Sequence, residues 1–217
     1  MQASKRSVLV AGATGLVGGE IVKQLIRDDG VAEIRLLVRR ELPELGLQPK
    51  VKLCISNFDQ LAAQADCYNV DQVFCSLGTT IKKAGSQSAF RRVDFEYPLQ
   101  IAQLALAKGA QHFLLVSSVS ANSKVKNFYL RTKGELEDAL QQLNFKSLTV
   151  ARPSFLLGER SEKRWADSVA KKLVWLMPPR WGGVQAAQVA AALVQSAIEN
   201  RPGMRIMENL ELREIRI

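Results

Sequence analysis

A doubly wound α/β fold, one parallel sheet with helices on both faces, is what this sequence predicts, on three observations. Six short apolar runs alternate with segments of helical periodicity along the first 151 residues. A glycine-rich turn stands between the first run and the first helical segment. The chain, at 217 residues, suits one domain with a sizeable core. Parallel strands must be joined by long crossovers, usually helices, so this alternation reads as a parallel sheet covered on both sides.

Residues 7–11 (SVLVA) form the first strand. The next segment carries Leu16, Val17, Ile21, Val22 and Leu25 at helical spacing until Asp28-Asp29-Gly30 ends it. Residues 34–38, 51–55, 72–76, 112–116 and 147–151 read as the remaining strands. Between the fourth and fifth, a helical pattern over 88–108 contains Pro98, which lacks an N–H and starts or kinks a helix there; Gly109 supplies the stop. Residues 129–143 form a further amphipathic helix. After Arg152-Pro153 come a helix rich in Lys, Trp and Leu, a break at Pro178-Pro179, an Ala-rich helix over 185–198, and Arg201-Pro202-Gly203 before a short tail. No further strand–helix–strand unit is expected there. Residues 1–152 therefore read as the core, and residues 153–217 as a small C-terminal cap on the substrate side, packed on the same domain.

Hydrophobic residues at 47% and charged ones at 24% are ordinary globular usage. Thirty Lys and Arg against 21 Asp and Glu give a net charge of +9, suited to a polyanionic cofactor, nucleic acid or a membrane surface. The basic residues are scattered in short pairs such as Lys5-Arg6, Lys82-Lys83 and Lys171-Lys172, which argues against nucleic acid. Cys54, Cys67 and Cys75 form no CxxC, and with the single histidine, His112, they lack the ligands of a usual zinc site, so no metal is expected. An odd cysteine count suits a reducing compartment, where such residues are small buried hydrophobes. Lys5-Arg6 before an apolar run has the look of a signal peptide, but the glycine pattern explains that stretch better. No run approaches the ~20 apolar residues of a membrane span, and a cytoplasmic location is the expectation.

Gly12-Ala13-Thr14-Gly15-Leu16-Val17-Gly18 lies between a strand and a helix, the setting that a dinucleotide-binding loop of a Rossmann-type sheet requires. Gly12 allows the tight turn, Gly15 lets the backbone amides around Leu16 and Val17 approach a pyrophosphate, and Gly18 lets helix and strand pack closely. Thr14 assists. The second strand ends in Val38-Arg39-Arg40, and a guanidinium there pairs with a ribose 2′-phosphate through two hydrogen bonds. Arg39, supported by Arg40, thus favours NADP(H) over NAD(H). Glu41 follows at once and bonds the ribose instead if Arg39 points elsewhere; two solvated arginines are the plainer alternative.

Tyr129-Leu130-Arg131-Thr132-Lys133 sets a phenol and an ammonium four residues apart on one helical face. An ammonium beside a phenol favours phenolate, the form that exchanges a proton with a substrate oxygen. Leu114-Leu115-Val116-Ser117-Ser118 ends the fifth strand just upstream, and ligands of such sheets bind outside the carboxyl ends of strands.

The order of glycine loop, strand-end serine and YxxxK helix resembles the short-chain dehydrogenase/reductase superfamily, and GATGLVG looks like its extended and atypical members. Ser76-Leu77-Gly78-Thr79-Thr80, Ser117-Ser118, YLRTKGE over 129–135 and Arg152-Pro153-Ser154-Phe155-Leu156-Leu157 resemble the Tat-interacting-protein-like oxidoreductases within it. The resemblance implies Tyr129 as general acid/base, Lys133 as ribose-binding and phenolate-stabilising, and Ser118, or else Ser117 or Ser120, as donor to the substrate oxygen. It also implies that Asn57-Phe58 lies by the adenine, Ser76-Leu77-Gly78 along the ribose, and the backbone after Pro153 by the nicotinamide. Asp94 departs from the asparagine that many members carry in a proton relay; the plain alternative is a solvated helix carboxylate.

Gly134 costs a helix interior roughly 1 kcal/mol relative to alanine, which suggests either close approach of a neighbouring helix, as in a homodimer, or simple tolerance near the helix start. The basic and aromatic stretch 171–181 reads as a core-packing helix, a substrate lid or a membrane-surface helix. Taken together, these features lead to an NADP(H)-dependent oxidoreductase acting on a small carbonyl or alcohol. A regulator or redox sensor that binds NADPH without turnover is the competing reading.

Overall fold

The computed structural model describes residues 5–158 and 181–217. The stretch 171–180 of the basic and aromatic segment, and the Lys-, Trp- and Leu-rich helix expected before it, lie outside the described residues.

Seven parallel strands form one sheet in the order β3-β2-β1-β4-β5-β6-β9. They are β1 (Arg6–Ala11), β2 (Val31–Val38), β3 (Val51–Ile55), β4 (Gln72–Cys75), β5 (His112–Val116), β6 (Ser147–Arg152) and β9 (Gly203–Glu208); β7 (Leu156–Leu157) and β8 (Val184–Gln185) make a separate two-stranded ladder. The chain reverses its winding between β1 and β4, so a crevice opens at the C-terminal ends of these two strands.

Alternation along β1 shows how the layers are made. Val8 and Val10 enter one core with Ile21 and Leu25 of α1 (Leu16–Arg27) and Val189 and Leu193 of the Ala-rich helix. Leu9 and Ala11 enter the other with Ile101, Leu136 and Leu140 from the opposite helices. Side chains of successive strand residues point to opposite faces, so a strand buried on both sides reads as an unbroken apolar run.

The expectation that no further strand–helix–strand unit follows Pro153 is corrected. β9 pairs in parallel with β6 from Ser147↔Gly203 to Arg152↔Glu208, and the Ala-rich helix is the crossover that delivers it. As an edge strand β9 buries only Met207, so its sequence, GMRIME, carries neither a β-branched run nor clean alternation.

The expected long helix over 88–108 is three pieces. Numbering helices in chain order, α2 (Pro43–Gly46) and α3 (Ile81–Ala84) are single turns, and α4 (Gln87–Arg91) runs through a π-turn, Arg92–Glu96, into α5 (Tyr97–Ala107). Pro98 cannot donate to a carbonyl one turn back, and the wide turn just before it rolls Asp94 inward. α6 (Phe128–Gln142), α7 (Ala186–Glu199) and α8 (Asn209–Glu214) follow among the described residues.

Two cysteines also depart from expectation. Cys54 of β3 and Cys67 of the 3₁₀ segment Phe58–Tyr68 are disulfide-bonded, with Cα atoms 6.1 Å apart. Cys75 is a buried free thiol, which burial pushes up to about 11.

Candidate active site

The first wall of the crevice consists of backbone. Gly12 has φ +91°, and a Cβ there would lie 2.7 Å from the Ser76 carbonyl carbon. At Gly18 a Cβ would lie 2.1 Å from the Gly12 carbonyl oxygen, so helix and loop touch through glycine alone. Ser76 bridges the two strand ends, its hydroxyl donating to the Ala11 carbonyl at 3.1 Å. α1 starts at Gly15, which has no side chain to cap it, and its first turn carries no acidic residue. Its leading N–H groups, around Leu16 and Val17, and the positive end of its dipole therefore suit an external anion. Thr14 is exposed at the tip of the loop. The cradle fits a dinucleotide pyrophosphate, because the space that side chains would occupy is left to backbone.

At the end of β2, Arg39 and Arg40 are exposed and make no ion pair among the described residues. Asn57 and Phe58 follow β3. The Asn57 side chain accepts from the Asp59 N–H at 3.0 Å as a cap, and the buried Phe58 ring packs edge-on against Tyr97 at 5.5 Å. Both side chains are thus engaged in the fold just after β3. Beyond the crevice proper, a cleft of about 870 Å³ runs from Gly15 and Leu16 to Leu157 and Gln185.

The second wall is made of buried charge. Lys133 Nζ lies 2.8 Å from Asp94 Oδ1, with Asp94 1% and Lys133 4% exposed. The reading of Asp94 as a solvated helix carboxylate is thereby corrected. Asp94 Oδ2 accepts from the Thr79 N–H at 2.9 Å, and a Cβ on Gly78 would lie 3.5 Å from Oδ1 and 3.9 Å from Nζ. Gly78, the last residue of the strand-end run Ser76-Leu77-Gly78, therefore lies beside the ion pair. Burial pulls the Lys133 ammonium down, but Asp94 and then Tyr129 outweigh it, and the group stands above the ordinary lysine value. The Tyr129 ring leans on Phe90 at 5.7 Å, and its hydroxyl makes no hydrogen bond among the described residues.

The strand-end serines differ. Ser117 donates to Glu137, whose carboxylate is also gripped by Arg152, Nη2 to Oε2 at 2.5 Å, and Arg152 reaches Glu208 at 2.9 Å. Among the described residues the Ser118 hydroxyl makes only a 3.5 Å contact, to the Val119 carbonyl. Ser120, exposed at φ +61°, faces a separate 350 Å³ cavity with Arg152 and Glu208. The buried Pro153 carbonyl accepts from Val119 N–H at 2.9 Å, tying the turn after β6 to the serine loop.

Gly134 is explained within one chain. A Cβ there would meet Ser123 N at 2.2 Å and the Asn122 carbonyl carbon at 2.3 Å, so the loop after β5 lies directly on α6. Neither a helix from a second copy nor mere tolerance is the reason for this glycine.

Glu137 was not among the expected site residues. Its signal was present: Tyr129, Lys133 and Glu137 recur every fourth residue on α6, with Lys133 and Glu137 on its buried face alongside Leu136 and Leu140. A charged stripe on an inward helix face announces buried partners.

A family model described as NAD(P)H-binding matches residues 12–200. The chain is 35% identical to Protein HTATIP2 of Rattus norvegicus over 214 residues, 97% of this chain and 88% of that one. It is 34% identical to Protein FMP52, mitochondrial, of Candida albicans over 172 residues, 77% and 75% of the two chains. The FMP52-1 protein of Scheffersomyces stipitis, also named mitochondrial, is 30% identical over 96% of this chain and 98% of its own. These names overturn the expectation of a cytoplasmic location. Among solved structures, the Bordetella bronchiseptica enzyme WbmG in complex with NAD has a TM-score of 0.74 at 13% identity, covering 95% of this chain and 74% of that one. MoeE5 in complex with UDP-glucose and NAD has a TM-score of 0.70 at 18% identity, covering 92% and 74%. Both share the fold.

Proposed function

Because the chain belongs to the NAD(P)H-binding family, in the Tat-interacting-protein-like branch of the short-chain dehydrogenase/reductase superfamily, we propose that it is an NADP(H)-dependent oxidoreductase acting on a small carbonyl or alcohol. The observation that carries this reading is the Tyr129 phenol, free of hydrogen bonds among the described residues, one helical turn from a buried ammonium beside the strand-end run that leads to the glycine cradle.

Gly12, Gly15 and Gly18 hold the pyrophosphate with the amides around Leu16 and Val17, Thr14 supports the loop, and Arg39, helped by Arg40, takes the 2′-phosphate. Asn57-Phe58 borders the adenine, Ser76-Leu77-Gly78 the ribose, and Pro153 the nicotinamide end. Residues 1–152 with Pro153 thus hold the cofactor, and the chain after Pro153 borders the substrate side before α7 and β9 complete the sheet. When bound, the nicotinamide supplies or accepts the hydride at the carbonyl carbon. In reduction, Tyr129 gives its proton to the carbonyl oxygen, Ser118 donates a hydrogen bond to that oxygen, and Lys133 stabilises the phenolate left behind; oxidation reverses these steps. Ser117, already donating to Glu137, is left out of this chemistry and shapes the loop.

Titration of the purified chain with NADPH and NADH, followed by absorbance with a panel of aldehydes, ketones and quinones, tests the proposal. Binding of NADPH at least about tenfold tighter than NADH, with cofactor oxidation by one panel member, is the expected result. Binding without any oxidation favours the non-catalytic regulator, and preference for NADH removes the role of Arg39.

A further inference from the structure

We infer that Asp94 is a positioning residue that keeps the Lys133 ammonium charged and fixed beside Tyr129. The use of that ammonium in catalysis rests on the oxidoreductase reading; its protonation does not.

Lys133 sits almost wholly out of water, at 4% exposure. A desolvated ammonium tends to shed its proton, and a neutral amine does nothing to stabilise a phenolate. The titratable groups facing Lys133 are Asp94 from the π-turn, Tyr129 from its own helix and the Cys75 thiol from β4. Of these, Asp94 makes the one ion pair of Lys133 among the described residues, at 2.8 Å.

The pair is built to stay closed. Asp94 Oδ2 is occupied by the Thr79 N–H at 2.9 Å, which aims Oδ1 at the ammonium. The pair is almost wholly out of water, with Asp94 1% and Lys133 4% exposed, and the Gly78 backbone lies beside it. The π-turn before Pro98 is what turns residue 94 inward, so an irregularity in the helix serves the site. An asparagine at 94 keeps the shape and removes the charge. Lys133 would then face burial without compensation and titrate lower.

The test is a ¹³C NMR titration of the full chain carrying ¹³C-labelled lysine, following the Lys133 Cε signal, assigned by its loss in Lys133→Met. In the wild type, Lys133 is expected to stay protonated beyond the ordinary lysine value of about 10.4. In Asp94→Asn, the proton is expected to be held at least about tenfold less tightly, a drop of one pH unit or more, and Asp94→Glu is expected to recover at least half of it. A wild-type Lys133 that titrates at or below the ordinary value overturns the inference even if Asp94→Asn does not fold. An unchanged titration in a folded Asp94→Asn also overturns it. NADPH binding and turnover in the same samples separate the two claims. If Lys133 titrates as stated but no cofactor binds, the oxidoreductase reading fails alone; turnover with an Asp94-independent Lys133 is the reverse.

Discussion

Around the first turn of α1 the crevice is shaped by missing side chains, whereas around the first turns of α6 it is shaped by buried charges. Gly12, Gly15 and Gly18 leave room for backbone to meet backbone within one turn, with Ser76 at the end of β4 closing against Gly12 and Gly18. Lys133, Asp94, Glu137 and Arg152 come from α6, the π-turn and β6, and each is held by a partner far away in the chain. A glycine cradle is a steric object, indifferent to pH and intolerant of one methyl group. A buried ion pair is an electrostatic object, tolerant of small changes in shape and intolerant of losing one charge.

The largest expected effect breaks the electrostatic half. Asp94→Ala strands a buried ammonium and should lower stability by about 3–5 kcal/mol in urea unfolding, while Asp94→Ala with Lys133→Met recovers most of the loss. A cost below about 1 kcal/mol would mean that the pair does not organise this wall. The Lys133 contribution has a definite sign: its folded value is raised, so its stabilisation is present below the ordinary lysine value and fades as the pH rises through the folded value.

The steric half should break nearly as hard. Gly18→Ala pushes a methyl to 2.1 Å from the Gly12 carbonyl oxygen, and the resulting shift should cost about 3 kcal/mol in thermal unfolding and abolish dinucleotide binding. A neutral result would refute the close contact of helix and loop.

An acid-sensitive group away from both halves provides a control. His112, at the opposite end of β5, is buried, its Nε2 2.8 Å from Thr149 Oγ1, and burial lowers it from 6.5 to about 4. A lowered histidine adds stability that is complete above pH 6.5 and is lost as the pH falls toward 4, a change of about 3 kcal/mol. His112→Asn should flatten the slope of stability against pH in that window; an unchanged slope would assign the acid sensitivity to carboxylates instead.

The smallest effect lies at the exposed rim of the cradle. Arg39→Ala should weaken NADPH by about tenfold in a fluorescence titration and leave NADH unchanged, and equal loss for both would remove its contact with the 2′-phosphate.

The same contrast explains what was legible in the sequence. The glycine loop is local, so spacing alone showed Gly12, Gly15 and Gly18, and helical periodicity placed Tyr129 one turn from Lys133. The partner of Lys133 stayed hidden because Asp94 is 39 residues upstream (133 minus 94) and reaches it only through the π-turn. Gly134 signalled close approach, but the partner, the Asn122-Ser123 backbone, depends on how the loop after β5 folds back. β9 is not legible in the sequence because an edge strand with one buried side chain lacks the pattern of a central strand. The Cys54 and Cys67 pair has no motif spacing, and only the approach of the 3₁₀ segment to β3 brings the two together.

The central claim, that this crevice joins a dinucleotide cradle to a proton-exchanging phenol, is tested most directly by Tyr129→Phe. Single-turnover oxidation of NADPH by the best carbonyl substrate should fall about 10²–10⁴-fold while NADPH affinity stays within about twofold. Unchanged turnover in a variant that still binds NADPH would contradict it.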